Sequence, residues 1–232
     1  MNFVAIICAR AGSKGLPGKN LRLLKNTPLI GWSINSAKKI NRISKVIVST
    51  DSREIAEVAR DFGAEVPFIR PKELSEDNSP EWLVWQHAIE QLKTNGCYPD
   101  AIVSLPPTAP LRASKDIENC LDEYEKGEVD TVITMSDAHR NPYFNMVKNN
   151  KNGYSSLALT TEKIIERRQD VPAMYDMTTV CYVANSNFVL NNKGIFHGRV
   201  RGIKVPRERA VDIDTFLDYK MAEFLLNNKE MR

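Results

Sequence analysis

Apolar residues along this chain follow two alternating rhythms. Short runs rich in β-branched residues read as buried strands: Phe3-Val4-Ala5-Ile6-Ile7, Lys45-Val46-Ile47-Val48-Ser49-Thr50, Ala101-Ile102-Val103-Ser104-Leu105 and Thr131-Val132-Ile133-Thr134-Met135. Between them apolar positions recur at helical spacing. Ile30, Ile34, Ala37 and Ile40 follow a helix start at Thr27-Pro28, with proline at the first helical position. Ile55, Val58, Ala59 and Phe62 follow Asp51 and Glu54, which have capping-box spacing, and Gly63 stops that helix. Trp82, Trp85, Ile89 and Leu92 follow Ser79-Pro80, while Ile117, Leu121 and Tyr124 follow Ser114. A shorter strand is expected over residues 65–69, ahead of Arg70-Pro71.

This order of strand, helix, strand predicts an α/β fold with a mostly parallel sheet and helices on both faces. Ligands of such sheets sit beyond the carboxyl ends of the strands. The pattern changes near Asp137. Residues 138–182 hold polar turns, a basic pair at Arg167-Arg168 and only short strand-like pieces around residues 143–147. They predict an excursion from the sheet, an arm or oligomer contact, within a single domain spanning residues 1–232. The chain is expected to return to the core at residues 180–184 and to add a short strand at Ile203-Lys204-Val205. A final helix follows, with Phe216, Met221, Phe224 and Leu225 on its buried face and Asp214 or Thr215 near its cap.

Composition narrows the partners. The 232 residues include 26% charged and 42% hydrophobic ones, ordinary for a soluble globular protein, and are enough to bury a full core. A net charge of +3 gives no reason to expect nucleic acid or an anionic membrane as a partner. Cys8, Cys97, Cys120 and Cys181 lack CxxC or histidine-paired spacing and read as reduced thiols of a cytoplasmic protein. No signal peptide is expected, and no run approaches the ~18 apolar residues of a membrane span. His87, His139 and His197 have no evident partners and are expected to be structural.

After the first strand come Cys8-Ala9-Arg10-Ala11-Gly12-Ser13-Lys14-Gly15-Leu16-Pro17-Gly18-Lys19-Asn20. Glycines let backbone N–H groups turn toward a ligand and the cations add charge, which suits phosphate; a solvated basic turn is the competing reading. The loop is not a P-loop, because Ser13 stands where glycine is required and Asn20 where Ser or Thr is required. Nor does it have the G-x-G-x-x-G spacing of a dinucleotide site.

The strand followed by A-R-A-G-S-K-G-x-P-x-K-N resembles the nucleotide loop of the cytidylyltransferases that activate sialic acid and related 2-keto sugar acids. Further matches fall in family order: Ser49-Thr50-Asp51, Arg70-Pro71, Pro107-Thr108-Ala109-Pro110-Leu111-Arg112, Arg167-Arg168-Gln169-Asp170 and Asp212-Ile213-Asp214. The resemblance implies a Rossmann-like nucleotidyltransferase fold, a homodimer formed through a small arm, and CTP and a sugar acid as substrates. It implies that Arg10 and Lys19 grip the triphosphate, that Ala9, Gly12, Ser13, Gly15, Asn20, Arg70 and Ser79 line the nucleotide, and that Asp212 and Asp214 hold Mg²⁺ and serve catalysis. Alternation would put those two carboxylates on one face, although helix capping also explains Asp214. For Asp51 capping is the expected role. Pro106, Thr108, Arg112, Arg167, Arg168 and Gln169 are implied on the sugar side, with structural ion pairs as the alternative for the arginines.

Departures from the pattern bear on the sugar. Sialic acid enzymes show Q-P-T-S-P-L-R in the proline turn; here Pro106 replaces the glutamine and Ala109 the serine, and Thr178-Thr179 stands where relatives have Asn-Gly or Asn-Ala. Residues 140–145 and 175–177 resemble the legionaminic acid branch. The expected reaction is attack by the sugar's anomeric hydroxyl on the α-phosphorus of CTP, with no evident side-chain base. Rival expectations are an N-acetylneuraminate, Kdo or phosphonate acceptor, a different nucleotide, or a CTP-binding regulatory protein without turnover.

Overall fold

The computed structural model describes residues 1–161 and 167–228. In chain order these form β1 (Phe3–Cys8), a ribbon of β2 (Leu23–Leu24) and β3 (Thr27–Pro28), α1 (Leu29–Lys38), β4 (Ile43–Ser49), α2 (Arg53–Asp61), α3 (Glu81–Thr94), β5 (Ala101–Ser104), α4 (Ser114–Glu125) and β6 (Thr131–Asp137). A hairpin of β7 (Val147–Asn149) and β8 (Ser155–Leu157) follows, then β9 (Tyr175–Asn185), α5 (Ser186–Asn191), β10 (Val200–Lys204) and α6 (Phe216–Asn227).

Six strands make the central sheet in the order β10-β6-β9-β5-β1-β4. β1 runs parallel to both β4 and β5, and β10 parallel to β6. β9 is antiparallel to both of its neighbours, because it returns to the sheet from the excursion rather than through a crossover helix. The period of two along β1 divides the core. Phe3, Ala5 and Ile7 pack with Ile30, Ile34, Ile55, Ile117 and Leu121 on one face. Val4 and Ile6 pack with Trp82, Trp85 and Ile89 of α3 on the other. Each large apolar side chain buried this way contributes about 1.5–3 kcal/mol. A third cluster joins Leu16, Leu24, Leu29, Leu111 and Ile213 to Tyr219, Ala222, Leu225 and Leu226 of α6. It fastens the basic loop and the Asp212-Ile213-Asp214 segment to the same helix.

Several local expectations are corrected. Pro28 precedes α1 as its cap rather than entering it. Residues 65–69 form no strand, only a bridge from Ile47 to Glu65, since Pro67 has no donor to continue a ladder. The α2 cap is Ser52, whose Oγ accepts the Ile55 N–H, and Asp51 is free of that task. By contrast the α6 cap is one of the two residues expected, Thr215, in a capping box with Asp218. On α6, Phe216, Met221 and Phe224 are about half exposed, at 54%, 49% and 54%. Leu225 is buried as expected, but Tyr219, Ala222 and Leu226 join it in place of the other three, a choice that a helix apolar on most sides leaves open. Finally, β9 claims residues from Tyr175 onward, so the part of the excursion outside the sheet is shorter than residues 138–182.

Candidate active site

The carboxyl ends of β1 and β5 open into a cleft of about 600 Å³. Its lining includes Cys8, Arg10, Ser13, Lys14, Gly15, Lys19, Asn20, Arg70, Ser79, Glu81, Pro106, Thr108, Thr179, Asp212 and Asp214. The loop after β1 is held by its own polar groups. Asn20 is buried, and its Nδ2 donates to the Arg10 carbonyl at 2.8 Å. Asp51 Oδ1 accepts the Ala11 N–H at 3.0 Å, a long-range tie that replaces the capping expected of it. Gly18 takes a left-handed φ of 66°, and a Cβ on Gly15 would collide with the Asp214 carbonyl oxygen.

The loop's cations reach the cleft already paired. Arg10 Nη2 lies 2.8 Å from Asp77 Oδ1, Lys14 pairs with the other oxygen of Asp77, and Lys19 Nζ donates to Asp214 Oδ1 at 2.9 Å. Lys14 and Arg10 hold the Asp77 carboxyl below the usual carboxylate range, the Lys14 hydrogen bond being the larger influence. Arg70 is 4% exposed; its Nε donates to Ser75 Oγ at 2.9 Å, and Asp51 lies 3.9 Å away. Burial lowers the Arg70 pKa, and Cys8 and Asp51 oppose that shift. Burial also pushes the Cys8 thiol upward, so the cysteine is no thiolate nucleophile. Ser79 Oγ donates to the Glu73 carbonyl at 2.7 Å.

The Asp212 segment is fastened by Ile213, which is fully buried and whose N–H donates to the Thr108 carbonyl at 2.8 Å. Asp214 then faces Lys19, whereas Asp212 Oδ1 is buried without a hydrogen-bond partner among the described residues. A hard, unsatisfied oxygen beside a second carboxylate fits a divalent cation that takes its other ligands from phosphates and water. Among the described residues no group of three or more His, Cys, Asp or Glu side chains forms a complete metal site.

Arg112 corrects the sequence reading. It is 4% exposed and absent from the cleft lining. Its Nε donates to the Val180 carbonyl at 2.8 Å, Nη1 to Ser33 Oγ at 2.6 Å, and Nη2 to the carbonyls of Pro106 and Thr179. Burial brings its pKa down to about 10, so it stays charged at neutral pH. The guanidinium is a clamp behind the proline turn, not a ligand group. Arg167 likewise lies outside the cleft lining and pairs locally with Asp170 at 2.9 Å, while Gln169 is exposed. The Arg168 side chain lies outside what the structure describes. Ala9 is buried with its N–H on the Ser49 carbonyl, and Gly12 faces open space.

Asp77 and Glu81 are cleft residues that sequence reasoning did not single out, whereas Thr179, noted there as a departure from the family pattern, also lines the cleft. Asp77 had a usable signal, an acid between Arg70-Pro71 and Ser79 on a chain whose basic loop needs countercharge. Glu81 is open to the solvent of the cleft, yet protein surrounds it closely enough that burial raises its pKa above glutamate's ordinary value. Trp85, Arg70 and Ser104 oppose the shift, and Asp212 adds to it.

A family model described as Cytidylyltransferase matches residues 4–231. The chain is 36% identical over 236 residues to the CMP-N,N'-diacetyllegionaminic acid synthase of Campylobacter jejuni, covering 99% of this chain and 97% of that protein. It is 35% identical over 235 residues to the post-translational flagellin modification protein B of Campylobacter coli, again covering 99% and 97%. In shape it is similar to a CMP:2-keto-3-deoxy-manno-octonic acid synthetase solved in complex with CTP. That match has a TM-score of 0.73 at 16% identity and covers 99% of this chain and 100% of the other.

Proposed function

This chain belongs to the cytidylyltransferase family and is a nucleotidyltransferase, and from that premise we propose that it transfers CMP from CTP to a nonulosonic acid, legionaminic acid or a close analogue. The observation that carries the reading is the gathering of Arg10, Lys14 and Lys19 in one cleft with an unsatisfied Asp212. Several phosphates need several fixed cations, and arginine can bind them bidentately.

In this reaction the anomeric hydroxyl attacks the α-phosphorus. An oxygen–phosphorus bond forms, the bond to the β-phosphate oxygen breaks, and pyrophosphate leaves. In-line displacement needs positioning and charge neutralisation more than a covalent nucleophile. Arg10 and Lys19 would exchange Asp77 and Asp214 for phosphate oxygens and neutralise charge on the leaving pyrophosphate. The Asn20 bond to the Arg10 carbonyl holds the loop in place for that exchange. Arg70 and Ser79 would line the nucleoside side, with Ser13 and Gly15 on the phosphates. Asp212 and Asp214 would hold Mg²⁺, which when bound would reduce the negative charge that repels the incoming hydroxyl.

The acceptor reading is supported by the 36% identical legionaminic acid enzyme and by Pro106, which removes the amide found in sialic acid enzymes. The arm would pair two copies and bring Arg167, Arg168 and Gln169 toward a partner's cleft, in a protein working in the cytoplasm. Exposed Val147, Tyr154 and Leu157 on that arm support the pairing. Purified protein with Mg²⁺ and CTP should release pyrophosphate with legionaminate faster than with N-acetylneuraminate, pseudaminate or Kdo. Preference for N-acetylneuraminate would overturn the acceptor. CTP binding seen as a thermal shift, with no pyrophosphate released from any sugar acid, would favour a regulatory protein.

A further inference from the structure

Among the described carboxylates of the cleft, Glu76 and Glu81 have no assigned task, and Glu81 is the one set beside buried, unsatisfied groups. Glu81 opens α3 and lines the cleft together with Arg70, Pro106, Thr179 and Asp212. Asp77 is taken by Arg10 and Lys14, Asp214 by Lys19, and Asp51 by the Ala11 N–H. Glu81 has neither a hydrogen bond of normal geometry nor an ion pair within 4 Å among the described residues; Arg70, Asp212, Cys8 and Tyr182 act on it only at longer range.

The surroundings of Glu81 are unsatisfied as well. Ser104 is 1% exposed and Trp85 2% exposed, and neither Ser104 Oγ nor Trp85 Nε1 has a hydrogen bond of normal geometry among the described residues. Both nevertheless favour the charged form of Glu81, so they lie close to its carboxylate. Thr179 Oγ1 and Asp212 Oδ1, in the lining of the same cleft, are also buried and unpartnered. Leaving such groups unpaired costs the protein stability unless a ligand completes them. A carboxylate free of a cation, in a cleft that receives two anionic substrates, suits ligand groups that donate. Hydroxyls and acylamino N–H groups of a sugar are such donors; a triphosphate and a sugar carboxylate are not.

We propose that Glu81 is an acceptor-binding residue, its carboxylate receiving hydrogen bonds from a hydroxyl or acylamino N–H of the sugar acid while Ser104 and Trp85 hold it in place. This rests on the acceptor being a polyhydroxylated sugar acid, as proposed above. An acid in the first turn of α3 also interacts favourably with the helix N-terminus, so the test must separate binding from helix stabilisation. Glu81→Asp keeps that charge but shortens its reach, and Glu81→Gln keeps the shape but loses the charge.

The measurement is steady-state kinetics of the full chain with Mg²⁺, CTP and the best acceptor from the panel, alongside melting temperature and the thermal shift caused by CTP alone. Both variants should raise the acceptor KM about tenfold or more, the loss expected for a hydrogen bond to a charged group. The CTP KM should stay within about twofold and the CTP thermal shift should be unchanged. An unchanged acceptor KM, a CTP KM that rises alongside it, or a kcat that falls while both KM values hold would each overturn the assignment. If the unmodified protein turns over no sugar acid, the proposed function fails and the assignment with it. If it does and the split is missing, only the assignment fails.

Discussion

In the loop of residues 9–20, Arg10, Lys14 and Lys19 each have a carboxylate against them. On the side of the cleft that holds Glu81 the situation is reversed: Ser104 Oγ, Trp85 Nε1, Thr179 Oγ1 and Asp212 Oδ1 are buried without a hydrogen bond of normal geometry among the described residues. The two regions answer different ligands. Exposed cations without countercharge repel one another, and paired ones can be handed to a polyphosphate that offers more oxygens than Asp77 or Asp214. Buried polar groups without partners cost stability, and in a cleft a ligand can complete them. One region is thus ready for exchange and the other for completion, within one cleft.

The sharpest way to break this contrast is at the completion side. Asp212→Ala should lower kcat/KM by at least about a hundredfold, the scale of losing one electrostatic partner of a transition state, with the melting temperature preserved. Near-normal turnover would remove Asp212 from the site. Arg112→Ala tests whether the wall behind that side depends on its clamp. It strands the carbonyls of Pro106, Thr179 and Val180, and should destabilise by about 3 kcal/mol. Calorimetry should show a fall of ~6–12 °C in melting temperature. Arg112→Lys should recover little, because an ammonium cannot reproduce the fork.

On the exchange side, Arg10→Ala or Lys19→Ala should weaken CTP binding about 10- to 100-fold by titration calorimetry and leave the fold intact. Asp77→Asn should have the smallest effect and the opposite sign, tightening CTP about two- to fivefold by removing a competitor. Lys14 and Arg10 depress the Asp77 carboxyl, so the pairing is present above aspartate's ordinary pKa and is lost only as pH falls below it. The Asp77→Asn effect should therefore be flat between about pH 6 and 9. An effect that titrates near neutrality would assign the competition to another group.

Strand and helix rhythm anticipated the α/β sheet, whereas the strand-like alternation read at Asp212-Ile213-Asp214 falls on a segment that forms no strand, its Ile213 held by the Thr108 carbonyl instead. Other features depended on distances along the chain that no local pattern encodes. Arg112 is 68 residues from its partner Val180, and Asp51 is 40 from Ala11. A basic residue at a strand end reads the same whether it meets phosphate or backbone carbonyls. Glu81 has the sequence signature of any acid in a first helical turn, and only the fold sets β5 and its Ser104 against it. On α6 apolar residues occur on more than one side, so composition alone could not choose between Phe216 and Tyr219 for the core.

The Arg112 clamp has one more consequence. It grips backbone carbonyls at Pro106, Thr179 and Val180, and backbone carbonyls are the same whatever side chain a position carries. This wall of the cleft can therefore change the side chain at position 179 while its backbone stays fixed, and if it receives the acceptor as proposed, that is where its preference can shift. A scaffold built this way can be retuned from one sugar acid to another by single substitutions, without refolding the floor on which they stand.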